Sequence, residues 1–300
     1  MAQTIACANQ KGGVGKTTTV VNLAADLALA GERVLVVDLD PQGNATSGFG
    51  IDRTALDVTL YDVLLGSTSM ASVILPTVVS CCWIAPASVS LAGAEVELAT
   101  VDQRERRLAR LLEPVLDAYD YVLLDCPPSL GLLTVNALTA ADSVLIPTQC
   151  EYYALEGLSQ LIATLNLVRD HLNPGLAIKG VVLTMYDART NLSADVAAEV
   201  RNHLGGAVFD TVIPRSVRLS EAPSFGLPIA LYRESSRGAV AYAELASELR
   251  RRDGHGTPIV PIAAAGIGTS SSSTTPTTTS ASSAPSAVSA GGAMAIGVRG

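Results

Sequence analysis

The sequence predicts an α/β fold, a mostly parallel twisted sheet with helices on both faces, and three observations carry that reading. Short aliphatic runs of strand length alternate with longer segments of helical periodicity along the 300 residues, the pattern of parallel strands joined by crossover helices. Hydrophobic residues make up 48% of the chain but aromatics only 4%, so the core is expected to consist of Val, Leu, Ile and Ala, as in a sheet buried on both faces. The first apolar run, over 4–8, passes through Asn9-Gln10-Lys11-Gly12-Gly13-Val14-Gly15-Lys16-Thr17-Thr18 into an apolar segment over 19–29 that suits a packed helix. Strand, glycine loop, helix is the context a phosphate-binding loop requires.

Within that loop Gly12, Gly13 and Gly15 let backbone N–H groups point inward around phosphates, with Gln10, Val14 and Thr18 completing the cradle. Lys16 supplies positive charge to β and γ phosphates, Thr17 can place its hydroxyl on Mg²⁺, and the helix start adds its dipole. The usual spacing would put glycine at position 10, where this chain has Gln10, and the loop carries an extra cation, Lys11. ATP with Mg²⁺ is the ligand pair this chemistry suits.

Gly31 is a plausible stop for the first helix, and a buried strand within 33–42 ends in two carboxylates, Asp38 and Asp40. The carboxyl end of a strand is where open α/β sheets bind ligands, and residues two apart face one side of an extended strand. Asp40 is placed to hold or polarise a water attacking the γ-phosphate. Downstream, a helix over 59–65, a short strand over 82–85 and a helix over 91–98 precede an amphipathic surface helix over 104–116. A strand over 120–125 then ends in Asp125, the pattern of the second nucleotide motif, whose carboxylate holds Mg²⁺ directly or through water. Pro127 and Pro128 stop that strand and begin a loop suited to sensing the γ-phosphate.

The remaining elements are a strand over 143–148, a helix over 154–171, strands over 178–185 and 208–213 flanking a helix over 193–203, and a closing helix over 238–252. The stretch from Pro214 to Pro223 follows the last of these strands and is placed to line the base end of the pocket. From residue 254 the composition shifts to Ser, Thr, Ala, Pro and Gly, which predicts a disordered tail over 254–300 and a single ATPase domain over 1–253.

A net charge of -8 argues against the whole molecule as a nucleic-acid binder. The distribution allows a local patch, because residues 1–184 hold 10 basic and 19 acidic side chains whereas residues 185–255 hold nine of each. The five cysteines have no metal-ligand spacing and no signal peptide precedes the first strand, so reduced thiols in a cytoplasm are expected. No apolar run reaches membrane-spanning length, and no integral membrane association is expected.

Several stretches, in order, resemble the ParA/Soj chromosome-partitioning ATPases, in the deviant Walker A group of phosphate-loop proteins that also contains MinD. They are the loop from Lys11 to Thr18, Asp38-Leu39-Asp40-Pro41-Gln42-Gly43-Asn44-Ala45-Thr46, Asp125-Cys126-Pro127-Pro128-Ser129-Leu130-Gly131, Glu151-Tyr152-Tyr153-Ala154-Leu155-Glu156-Gly157, and Arg218-Leu219-Ser220-Glu221-Ala222-Pro223-Ser224-Phe225-Gly226. The resemblance implies a weak ATPase that forms an ATP-sandwiched homodimer, in which Lys11 reaches the phosphates held by the opposite subunit. It further implies that Lys16 binds phosphates, Thr17 and Asp125 serve Mg²⁺, Asp40 supports water attack, and Pro214 and Ser216 neighbour the adenine.

DNA binding without sequence preference is implied through Arg189 and Arg218, with Arg215 and Arg237 as helpers, along with a ParB-type centromere-binding partner that stimulates hydrolysis and release. A cytoplasmic protein associated with the nucleoid follows from the same resemblance. Two positions depart from the family pattern: Ser216 stands where asparagine is common and Leu227 where lysine is common. The alternative within the group, a MinD-like membrane-positioning ATPase, calls for a basic amphipathic helix at the C-terminus, whereas the segment here is rich in Ser and Thr with one arginine, Arg299.

Overall fold

The computed structural model describes residues 2–254 and the backbone of Val260–Pro261; the remainder of the predicted tail lies outside the described residues. The strands are β1 (Gln3–Cys7), β2 (Val34–Asp38), β3 (Leu75–Pro76), β4 (Cys82–Ala85), β5 (Tyr121–Asp125), β6 (Ser143–Gln149), β7 (Ala177–Tyr186), β8 (Val208–Pro214) and β9 (Val260–Pro261). They form one sheet in the order β3-β4-β2-β5-β1-β6-β7-β8, with β9 beside β7, and only the β3 and β9 pairings are antiparallel. The helices are α1 (Lys16–Leu29), α2 (Asn44–Gly48), α3 (Leu60–Leu65), α4 (Met70–Val73), α5 (Leu91–Glu97), α6 (Arg107–Leu112), α7 (Leu132–Ala140), α8 (Ala154–His171), α9 (Asn191–Leu204), α10 (Val217–Glu221), α11 (Ile229–Tyr232) and α12 (Arg237–Gly254).

Strand side chains alternate between two cores, which is why the strands read as unbroken aliphatic runs. Leu35 and Val37 of β2 and Val122 and Leu124 of β5 pack into the layer that also holds Leu60, Leu91, Leu108, Leu133 and Leu161 from the helices of one face. Their neighbours Val34, Val36, Tyr121 and Leu123 go to the other layer, with Leu23 and Leu27 of α1 and Tyr242 and Leu245 of α12. The parallel sheet with helices on both faces is as the sequence predicts, and the strand over 82–85 and the helix over 154–171 match β4 and α8 residue for residue.

Two segments differ from the sequence reading. The single amphipathic helix expected over 104–116 is three short pieces, a 3₁₀ turn at Arg104–Arg106, then α6, then a 3₁₀ turn at Glu113–Ala118. Pro114 explains the second break, since it lacks an N–H and its ring crowds the preceding turn. Helix α7 was not predicted. It buries Leu133, Thr134, Asn136, Ala137, Leu138 and Thr139, so it has no polar stripe to set the helical period against.

Polar anchors fix α12 to the sheet. Buried Glu248 accepts from the backbone N–H groups of Asp210 (3.0 Å) and Thr211 (2.9 Å) and from the Thr211 hydroxyl (2.7 Å). Tyr242 places its hydroxyl 3.2 Å from the Thr19 hydroxyl, tying α12 to α1. Asp26 of α1 is not anchored in this way: its buried Oδ2 has no hydrogen-bond partner, and burial pushes its carboxyl up to about 7 from the ordinary 3.8.

A carboxyl that binds its proton more tightly when folded favours the native state at low pH. That contribution is present in full below the unfolded value of 3.8 and is lost as pH rises toward the folded value of about 7. Asp26→Asn, which keeps the shape and removes the charge, is therefore expected to raise the melting temperature at about pH 8, with the gain shrinking steadily as the buffer is taken down to about pH 4. Calorimetric scans of both proteins across that range check it, and a gain independent of pH would contradict the burial argument.

Candidate nucleotide site

Sheet register brings the chemistry together. Cys7 at the end of β1 lies level with Asp125 on β5, and Asp38 at the end of β2 lies level with the same Asp125. Three adjacent strands thus deliver the glycine loop and two carboxylates to one edge of the sheet, its carboxyl edge. The loop turns on Gly13 (φ 73°) and Gly15 (φ 90°), left-handed conformations that side-chain-bearing residues adopt only with strain. Gly15 directly precedes α1, whose first-turn N–H groups lack partners within the helix.

The loop is held from several sides. Asn9 donates to the carbonyl of Pro147 (2.8 Å) and accepts from the Lys11 N–H (3.0 Å), while the Thr184 hydroxyl donates to the carbonyl of Val14 (2.8 Å). The Gln10 amide reaches α8, donating to Gln160 Oε1 (2.7 Å) and to the Gly157 carbonyl (3.4 Å). Its side chain is thus committed to α8, which leaves its backbone for a ligand. The two lysines differ in environment. Lys16 is buried and its ammonium donates back across the loop to the Lys11 carbonyl (3.3 Å), whereas the Lys11 side chain is half exposed and pairs with Glu151.

The three aspartates at this edge also differ, and hydrogen bonding separates them. Strand β2 ends at Asp38, so Asp38 and Asp40 do not share a strand face as an extended run would have it. Asp38 accepts from the N–H (2.8 Å) and hydroxyl (2.7 Å) of Thr46 and from the N–H of Asp40 (3.2 Å), which makes it the clamp of the following turn. Asp40 is buried in that turn, where Oδ1 accepts from the Gln42 N–H (2.9 Å).

Asp125 is fully buried and neither of its oxygens has a hydrogen-bond partner. Burial, then the charges of Asp38 and Asp40, push its carboxyl well above the usual range; the Thr17 hydroxyl and Lys16 oppose this, with Thr17 near enough to act without completing a hydrogen bond. An orphaned carboxylate in a dry site is costly unless a cation arrives to satisfy it. The fit to Mg²⁺ is good. Among the described residues no group of three or more His, Cys, Asp or Glu could hold a metal alone, and Mg²⁺ beside a nucleotide characteristically takes one or two protein oxygens, here Thr17 and Asp125, with phosphates and water supplying the rest.

Beyond the loop a cavity of about 650 Å³ extends between α1, α2, α10 and the ends of β7 and β8. Pro214 and Ser216 line it, as do Gly15, Thr17 and Thr18 at the loop end. Three further residues were not singled out from sequence. Asn22 lines the cavity and braces its wall, donating to the Thr18 carbonyl (2.7 Å) and accepting from the Ile229 N–H (2.7 Å). Tyr242 and Met185 line it too, the latter with φ at 50°, a left-handed conformation rarely held by a methionine. Asn22 had a signal in the sequence, an amide within an otherwise apolar helix; the other two had none.

Of the arginines assigned to DNA, Arg189, Arg215 and Arg218 lie past the ends of β7 and β8, and Arg237 opens α12. Arg189, with 87% of its side chain exposed, forms a two-pronged pair with Asp187 (2.7 and 2.9 Å). Those bonds hold the Asp187 carboxyl well below the usual range, and the charge of nearby Arg215 adds to the effect. Arg215 lines the nucleotide cavity, donates its N–H to the Tyr186 carbonyl (3.0 Å) and makes no ion pair among the described residues. Arg218 on α10 pairs with Glu221 (2.7 Å).

Comparison with known proteins follows the same lines. A family model described as an AAA domain matches residues 2–178. The sporulation initiation inhibitor protein Soj of Bacillus subtilis (strain 168) is 58% identical over 249 residues, covering 83% of this chain and 98% of that protein. The chromosome partitioning protein ParA of Myxococcus xanthus is 54% identical over 249 residues, covering 83% and 88% respectively. Among solved structures, cobyrinic acid a,c-diamide synthase from Mycobacterium smegmatis with bound ADP and magnesium is similar at a TM-score of 0.76 and 40% identity, over 87% of this chain and 98% of that one. Identity above one half across nearly the whole length of Soj extends the likeness well beyond the glycine loop, and the chain belongs to the ParA/Soj family of chromosome-partitioning ATPases.

Proposed function

We propose that the chain is a weak ATPase that partitions a chromosome or plasmid by forming an ATP-dependent homodimer that binds DNA without sequence preference. The observation that carries this reading is the division of labour between the two lysines of one loop. Lys16 is folded into the loop, so the loop's own phosphate site has its cation, while the Lys11 ammonium sits outside it on Glu151. A cation placed outward is suited to a second nucleotide, held by a facing copy of the chain. The exposed pair Tyr152 and Tyr153, ring centroids 5.1 Å apart, follows Glu151 directly and offers apolar area for such a face.

In the cycle proposed here the loop amides and Lys16 hold the β and γ phosphates, and Thr17 and Asp125 hold Mg²⁺, which when bound neutralises phosphate charge. Asp40 accepts a hydrogen bond from the attacking water, and Lys11 leaves Glu151 for the phosphates across the two-fold axis. Exposed ion pairs such as Lys11–Glu151 are worth about 0–1 kcal/mol, so the exchange costs little. Dimerisation then reports the nucleotide, and hydrolysis undoes it.

Pairing two chains doubles the basic patch of Arg189, Arg215 and Arg218, which lets DNA phosphates be bound despite a net charge of -8 on each chain. DNA binding would place the protein on the nucleoid in a cytoplasm, and a ParB-type centromere-binding protein would stimulate hydrolysis and release. No described helix is long and apolar enough to cross a membrane.

Lys16→Ala is expected to lose nucleotide binding by about two orders of magnitude, read by titration with a fluorescent ATP analogue. Asp40→Ala should still bind ATP but hydrolyse it at least roughly tenfold more slowly and accumulate as a dimer in light scattering; hydrolysis at the parental rate would remove Asp40 from its role. For DNA, retention of a random duplex should require ATP rather than ADP and weaken steeply between about 50 and 200 mM salt. Arg189→Glu together with Arg218→Glu, neither of which lines the nucleotide cavity, should abolish it while ATP binding is unchanged, and nucleotide-independent retention would defeat the switch.

A further inference from the structure

A second concavity lies away from the nucleotide cavity. It is a groove of about 920 Å³ between α1, α11 and α12, and it shares no lining residue with the nucleotide cavity. Apolar side chains that a monomer would normally cover form part of its wall: Leu29, Leu231 and Val240 are 55%, 43% and 49% exposed. Carboxylates punctuate them, with Asp26, Glu234 and Glu244 along the groove, and Arg251 is its one lining cation. Glu248 and Asp210 also line it, but Glu248 is occupied by the N–H groups of β8. Asp26 lies at the inner wall, its Oδ2 buried and without a hydrogen-bond partner among the described residues.

Lining residues on α12 run from Ala239 to Arg251, a rise of roughly 18 Å at 1.5 Å per residue, the length of about three helical turns. A nucleic acid or an anionic membrane would be repelled by this lining, and a purely apolar ligand would leave the carboxylates desolvated and unpaired. A segment with apolar side chains on one side and cations flanking them meets both demands.

We propose that this groove docks a short cationic amphipathic helix from a partner protein, its apolar side chains against Leu29, Leu231 and Val240 and its lysines or arginines against the exposed Glu234 and Glu244. The proposal goes beyond the partition reading and does not rest on it, because none of these residues belongs to the nucleotide or DNA sites. Position gives the groove a route to the nucleotide: Asp26 lies ten residues along α1 from Lys16, and Tyr242 of α12 meets Thr19 of α1 between the two.

The test uses the full chain and a fluorescein-labelled 18-residue peptide of leucines at i, i+3, i+4 and i+7 spacing with lysines elsewhere, set against its leucine–glutamate counterpart. Fluorescence anisotropy is expected to show the lysine peptide binding at least roughly tenfold more tightly than the glutamate one. The double variant Val240→Asp, Glu244→Lys should weaken it at least roughly tenfold, as should Leu231→Gln with Glu234→Lys, a pair of exposed changes outside α12 that guards against a folding defect. Glu199→Lys, the same charge change on exposed α9, should leave binding unchanged. An equal loss in Glu199→Lys would mean that bulk charge alone attracts the peptide, and unchanged binding in both groove variants would place it elsewhere; either result overturns the proposal. So would a free protein that sediments as a dimer and becomes monomeric on Val240→Asp, which would make the groove a contact between copies of this chain.

Discussion

A carboxylate with nothing to hold is the feature on which the rest of the site depends. Asp125 sits at the end of a central strand, fully buried, with both oxygens unpartnered. Such a group is tolerated only where the surrounding structure forces it, and here β5 lies between β1 and β2, so its last residue has nowhere else to go. In the proposed cycle its cost would be recovered by a divalent cation held beside Thr17, which would make the binding of metal and nucleotide mutually dependent. The same edge holds two other aspartates that are satisfied in part or whole by the chain, Asp38 by Thr46 and Asp40 by the turn at Gln42. Three residues of one type take three tasks because hydrogen bonding, not residue identity, decides which of them is left wanting a ligand.

The two lysines repeat that logic with the opposite sign. Lys16 is buried against the loop carbonyls and belongs to the phosphate site of its own chain. Lys11, five residues earlier, is tethered to Glu151 by an exposed ion pair that is easily exchanged for something better. Triphosphate is a stronger partner for an ammonium than a single carboxylate, so in the proposed dimer the preference of Lys11 would change only with a second phosphate-bearing copy within reach. The exchange would also release Glu151, next to the exposed Tyr152 and Tyr153, so nucleotide state and the character of that face change together.

Much of the fold was legible because it is written in short-range pattern. The central strands β2 and β5 are aliphatic runs buried throughout, and the glycine loop supplies the residues that take left-handed positions at Gly13 and Gly15. What could not be read depends on contacts far apart in the chain. Thr184 supports the loop at Val14 from 170 residues away, and Tyr242 meets Thr19 across 223. The sequence leaves open whether the strand runs on to Asp40, and the structure ends it at Asp38, where Thr46, eight residues on, folds back onto the Asp38 carboxylate. Helix α7 escaped because a helix buried on most sides has no amphipathic period, and the segment over 104–116 was over-read because its apolar spacing outweighed Pro114.

Charge presents the remaining tension, since a chain of net charge -8 is assigned a polyanion as partner. The tension eases once the cations and the anions are placed. The carboxylates of the nucleotide edge are buried or matched to Mg²⁺, and those of the groove between α1 and α12 lie on a surface built from different elements than the arginine loops after β7 and β8. At physiological salt, charges more than about 8 Å apart are largely screened, so DNA would feel the local arginines more than the total. Two of those arginines are held by Asp187 and Glu221, which weakens a single copy of the patch. In the proposed function a monomer with one such patch would bind DNA poorly, and two copies held rigidly side by side would multiply its affinity rather than add to it. The proposed dependence on ATP would thus follow from the weakness of each half: arginines free of their carboxylates would bind DNA whatever the nucleotide, and the switch would be lost.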